Sequence, residues 1–191
     1  VKLLENKDCK ESDLFFEASN QLHVLDPSAF TADKMSKMSI VKGRSADAIS
    51  FAKDAVEMEQ DVDIKARYYL TLADAYRSSA SYSLARNAVN SALEIRDSWG
   101  EAYMSLGSIY ISGAKLCGND FDQKTVYWIA IDNFKKALLD EETKYRASKS
   151  INTYSKYFPT TETCFFNGLE SGKTHKIGCW INRTTIVRTS D

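Results

Sequence analysis

Tyr69, Leu72 and Tyr76 recur as Tyr103, Leu106 and Tyr110, each pair 34 residues apart. Small and bulky residues follow each set in the same order: Ala85, Val89 and Ala92, then Ala130, Phe134 and Ala137. A fixed period of this length marks a helical solenoid. The reason is steric. Two antiparallel helices approach to about 8 Å only where the facing residues are small. Alanines at 85, 92, 130 and 137 and Gly107 supply those points, and Tyr69, Leu72, Tyr76 and their counterparts fill the holes beside them.

The rest of the chain arranges itself around this repeat. Residues 1–28 form an N-terminal segment and helix. Ser12 or Asp13 is its expected cap, and Leu14, Phe15, Ala18, Leu22 and Leu25 form an apolar stripe at three- and four-residue steps. Asp26-Pro27-Ser28 ends that helix, because proline clashes with a continuing one. Three helical hairpins follow, over 29–62, 66–99 and 100–144. Their helices are expected at about 29–42 and 45–58, 64–79 and 82–96, and 99–112 and 123–139. The third hairpin carries a loop insertion of about 113–123, where Asn119-Asp120 is placed to cap the following helix. A capping helix over 145–158 has Tyr145, Ile151, Tyr154 and Phe158 on one side, as the end of a solenoid requires, and Pro159 terminates it.

The tail, 159–191, changes period. Residues His175–Trp180 and Thr184–Arg188 are rich in β-branched types, and Cys164-Phe165-Phe166 precedes them. Two or three short strands are expected, turning at Glu170–Lys173 and near Asn182-Arg183. A hairpin this small is marginal alone, so Phe165 or Phe166, with Trp180, is expected to pack on the last helices. The predicted fold class is therefore all-α, a solenoid with a capping helix and a small C-terminal β-hairpin.

Composition excludes several function classes. Formal charge is −1, so no basic surplus favours nucleic acid or an anionic membrane. No apolar run reaches the ~18 residues of a membrane span. The chain starts at Val1, not Met, without a signal peptide, and reads as a mature or trimmed chain. Four cysteines, Cys9, Cys117, Cys164 and Cys179, lack any C-x-x-C spacing, and with two distant histidines a zinc site is not expected. Their even number permits two disulfides; buried free thiols are the alternative.

The repeat residues resemble the tetratricopeptide repeat. Its motif sets an aromatic three before a Leu-Gly pair, an aromatic three after, then Ala, Phe and Ala on the second helix. Tyr103, Leu106-Gly107, Tyr110, Ala130, Phe134 and Ala137 match throughout. The second repeat departs with Ala73 for Gly and Val89 for Phe. The first, written on Met35-Ser36, Ala48, Ala52 and Ala55, departs further with Ala32 and Ser39 for the aromatics. The resemblance implies a right-handed α-α superhelix of about three repeats. It also implies a concave face lined by the first helix of each repeat: Arg67, Leu70, Asp74 and Arg77, then Glu101, Met104, Ser108 and Ile111. Such a face clamps an extended peptide or a partner's helix.

Asn119-Asp120, Val126-Tyr127-Trp128, Tyr154–Pro159 and Gly178–Asn182 resemble the C-terminal part of a group of Bacteroidota cell-envelope proteins that combine tetratricopeptide repeats with a short β tail. That resemblance implies an exported, periplasmic or envelope-associated protein and favours oxidised cysteines. Cys117 would then join Cys179 if the tail folds back on the inserted loop, or Cys164 would join Cys179 across the hairpin.

No catalytic, cofactor-binding or metal-binding set emerges. Gly168 to Thr174 is one residue short of a phosphate loop between its glycines, and a strand-like run follows where that motif needs a helix. His23 and His175 stand apart from any nucleophile and carboxylate pair. The expected function is a non-enzymatic scaffold or adaptor holding another protein or peptide in a bacterial envelope assembly. The alternative is a small-ligand module for a glycan or peptidoglycan fragment, built from the β tail and inserted loop, with Trp180, Phe165 and Tyr127 stacking on the ligand.

Overall fold

The computed structural model describes residues 13–190. The expected cap at Ser12 and the cysteine at position 9 lie outside the described residues. The described chain is mostly helical, about 70%, with nine α-helices and one two-stranded antiparallel hairpin near its C-terminus. It divides into two compact units, 1–96 and 97–191.

In the first unit, α1 (Asp13–Leu25) packs on α2 (Ala29–Val41). The apolar stripe of α1 is only partly used: Leu14 is 66% and Leu25 81% exposed. The backbone restarts at Ser28, whose hydroxyl accepts from the Thr31 amide while the Thr31 hydroxyl accepts from the Ser28 amide. Gly43 (φ +70°) turns the chain into α3 (Ser45–Met58). Across this hairpin Met35, Ser36, Ala48, Ala52 and Ala55 are buried, and the Ser36 hydroxyl donates to the Ala48 carbonyl at 2.8 Å.

The second hairpin pairs α4 (Val62–Ser78) with α5 (Tyr82–Ile95). Helix α4 begins two residues before the expected 64, because the Asp61 carboxylate accepts from the Asp63 and Ile64 amides at 2.9 and 3.0 Å. Ala73, Ala85, Val89 and Ala92 are fully buried. Tyr68 is buried against Ala32 and Ala55 of the preceding hairpin, while its neighbour Tyr69 is half-buried. The aromatic that joins the hairpins is thus Tyr68, while Tyr69 belongs to the 34-residue pattern.

In the second unit, α6 (Gly100–Ser112) packs on α7 (Asp120–Ala137). Gly107, Ala130, Phe134 and Ala137 are buried at their contact. The connecting segment is 113–119, shorter than the expected 113–123, since Asn119 caps α7 by a reciprocal box with Asp122. It contains a single 3₁₀ turn, Ala114–Leu116. Helix α8 (Lys144–Tyr154) and the 3₁₀ turn Ser155–Tyr157 follow on α7. Of the side expected to pack, Phe158 is buried and Tyr154 stacks on Phe134, while Tyr145 is corrected: it is 80% exposed, and Ala147 is the fully buried residue of α8.

The tail departs from expectation at its start. Cys164-Phe165-Phe166 lies in a short helix, α9 (Thr161–Phe166), capped by Thr160, rather than in a strand. Phe165 and Phe166 are 75% and 76% exposed, so neither packs on the last helices. Strands β1 (Thr174–Ile177) and β2 (Arg183–Ile186) are shorter than expected and pair antiparallel, Thr174 opposite Ile186 and Ile177 opposite Arg183. The hairpin is anchored to α7. The Trp128 indole donates to the Arg188 carbonyl at 2.7 Å, the Arg188 guanidinium pairs with Asp132, and the Thr185 hydroxyl donates to Asp132. Ile177, Ile181 and Val187 are buried beside these bonds. Coverage by both α6 and the hairpin accounts for the burial of consecutive residues Trp128 to Ile131 in the middle of α7.

Candidate partner-binding faces and the tail cleft

The eight residues expected to line a partner groove fall on two helices, one in each unit. On α4, Arg67 is exposed and makes no ion pair among the described residues, while Leu70 is half-buried. Asp74 and Arg77 pair with each other, Arg77 Nη2 donating to Asp74 Oδ1 at 3.0 Å, with both side chains half-exposed. Such a pair is worth well under about 1 kcal/mol and is cheaply opened by a competing partner. On α6, Glu101 is held by Arg146 of the capping helix. Met104 and Ile111 are half-buried, and the exposed Ser108 turns its hydroxyl back onto the Met104 carbonyl at 3.0 Å.

The first repeat contributes residues that the sequence reading passed over. Asp33 and Lys37 flank Met35-Ser36 as Leu70 and Asp74 flank Leu72-Ala73. Applying the same offsets would have found them. Asp33 is buried, accepting from Lys37 Nζ and from the Thr71 hydroxyl of α4, each at 2.7 Å. Burial of the Tyr68 phenol, and after it the charges of Asp33 and Glu59, push its pKa up to about 12.

In the second unit a cleft of about 380 Å3 opens between the inserted segment, the start of α7 and β1. Cys117, Asp122, Thr125, His175 and Cys179 are among the residues lining it. Cys117 and Cys179 form a disulfide with their Cα atoms 5.2 Å apart. The alternative pairing of Cys164 with Cys179 is corrected: Cys164 is a buried free thiol whose pKa burial raises. The His175 and Trp128 rings lie roughly perpendicular, their centroids 5.8 Å apart. Burial lowers its pKa, while the Asp122 carboxylate pulls the other way.

None of the three aromatics proposed for stacking lines this cleft. Trp180 lies on Tyr110, ring centroids 5.7 Å apart, and its indole donates to the Gly113 carbonyl at 3.0 Å. Tyr127 stacks on Tyr154 and Tyr157, and Phe165 is in solvent. His23 is tied to the Thr31 hydroxyl at 3.0 Å and to the Phe51 ring. Gly168 and Gly172 both take positive φ in turns ahead of β1. Among the described residues, no group of three or more His, Cys, Asp and Glu is arranged to hold a metal ion. No helix among them is long and apolar enough to cross a membrane.

Compared with known proteins, the chain matches no family model, and no curated protein resembles it significantly.

Proposed function

We propose that the helical hairpins are tetratricopeptide repeats and that the chain is a non-catalytic adaptor, holding a partner protein or peptide on the first helix of each hairpin. The observation that carries this reading is the burial pattern. Ala73, Ala85, Ala92, Gly107, Ala130 and Ala137 are all buried where helices meet, as the repeat demands. That leaves Arg67, Leu70, Asp74 and Arg77 on α4, and Met104, Ser108 and Ile111 on α6, wholly or partly accessible. In that family, hairpins stack as a right-handed α-α superhelix, and these positions face the ligand. Adaptors of this kind suit a bacterial envelope assembly, the setting favoured by the resemblance of the tail and by an oxidised cysteine pair.

Affinity capture from the native membrane fraction, followed by rebinding of the captured protein to an Arg67→Glu/Arg77→Glu variant, tests the reading. Charge reversal at two solvent-facing arginines leaves folding intact and abolishes rebinding. Unchanged rebinding eliminates the helix-face site.

The small-ligand alternative retains one supporting observation, the cleft beside the tail, whose volume lies in the range of small-molecule sites. Its aromatic platform is lost, because Trp180 serves to hold the tail to Gly113.

A further inference from the structure

The Cys117–Cys179 bond is unusual in where it lies. Its two ends differ in access: Cys117 is 2% exposed and Cys179 is exposed. Both residues line the cleft of about 380 Å3, so a small molecule in that space lies beside the disulfide. His175 lines the same cleft. Burial lowers its pKa, so the imidazole stands unprotonated with a ring nitrogen free to act as a weak base, taking a thiol's proton only as the sulfur attacks. Asp122, another lining residue, is near enough to favour the imidazolium once that proton has arrived.

Opening the bond would not free the segment that carries it. Trp180, next to Cys179, stays hydrogen-bonded to Gly113, and the Trp128–Arg188–Asp132 contacts hold the hairpin on α7. Cys179 itself sits at φ +51° in the turn between the strands, a backbone region that costs a non-glycine residue energy. Cys179, the exposed partner of the pair, thus lies in a turn with an unfavourable backbone angle, while the contacts around it hold the hairpin in place.

We propose that this cleft is a thiol–disulfide exchange site, in which a low-molecular-weight thiol is captured covalently on Cys179 while Cys117 is released. The incoming thiol gives its proton to His175, and its sulfur attacks Cys179 Sγ. A new disulfide forms between the two as the Cys117–Cys179 bond breaks. Cys117 leaves as a thiolate and takes the proton from the imidazolium. One disulfide replaces another, so no external oxidant or reductant is consumed. The event is stoichiometric capture rather than turnover and is independent of the adaptor reading.

Glutathione and free cysteine are the probes. The folded protein is incubated with each at neutral pH without denaturant, quenched by alkylation and mapped by mass spectrometry. The expected result is a probe adduct on Cys179 and an alkylated Cys117, formed faster than in the same chain unfolded in guanidinium. His175→Gln is expected to lose that rate advantage while its melting temperature stays near that of the parent. Lys173→Ala, outside the cleft lining, is expected to keep it. A disulfide that reacts only once denaturant is present overturns the assignment. So does an adduct on Cys117, or a His175→Gln protein that exchanges at the parent rate.

Discussion

The Phe134 ring occupies the space where a β-carbon on Gly107 would stand, in direct collision with three of its ring atoms. The two residues lie on α6 and α7, and their fit sets how closely those helices approach. Gly107→Ala is therefore expected to destabilise the second unit by about 1–3 kcal/mol, read as a lower denaturation midpoint. Combining it with Phe134→Leu recovers part of the loss, because the smaller side chain vacates the site. Additivity of the two substitutions would show that they do not share this space.

That contact was legible in the sequence, since Leu106-Gly107 and Phe134 are where the third repeat is most regular. The hairpins, their turns at Gly43 and after Ser78, and the cap at Asn119 followed from period and turn chemistry. The tail did not. Phe165 and Phe166 carry strand-forming side chains, but Thr160 caps a short helix there and leaves both rings in solvent. Bonds that join distant segments, such as Trp128 to Arg188 and Trp180 to Gly113, leave no periodic trace. On the candidate faces, the exposed arginines were readable from repeat offsets. The burial of Asp33 was not, because it depends on Thr71 from the next hairpin.

The Arg188–Asp132 pair closes the tail onto α7, and Thr185 shares the same carboxylate. Asp132→Ala leaves a half-buried guanidinium and a buried hydroxyl short of an acceptor, at a cost of about 1–3 kcal/mol. Hydrogen exchange is expected to quicken in β1 and β2 while the α6 amides keep their protection. Unchanged exchange in both strands would show that the carboxylate does not anchor the hairpin.

Tyr68 titrates near 12 in the folded protein against 10.0 for an ordinary phenol. A raised pKa stabilises the fold fully below about pH 10, and that contribution is lost as the pH climbs towards about 12, because the unfolded chain ionises first. Chemical denaturation of the parent is expected to weaken across this window. Tyr68→Phe has no phenol to ionise and should show a flatter profile. Identical profiles would contradict the burial of the hydroxyl beside Asp33.

His175 works in the opposite direction. Burial depresses its pKa below the ordinary 6.5, so the unfolded chain takes up a proton before the folded one does. Its contribution is intact above about pH 6.5 and declines as the pH falls through the folded value. The denaturation midpoint of the parent, close to that of His175→Gln at neutral pH, should therefore fall below it as solutions are acidified. A constant difference from pH 7 downwards would place the imidazole in solvent.

Hydrogen exchange of the complex with its captured partner addresses the adaptor proposal most directly. Protection on binding is expected along α4 (Val62–Ser78) and α6 (Gly100–Ser112), strongest around Arg67–Arg77 and Met104–Ile111. Protection confined to 113–119 and the β hairpin, with both helices unchanged, would contradict the account and move the binding site to the tail.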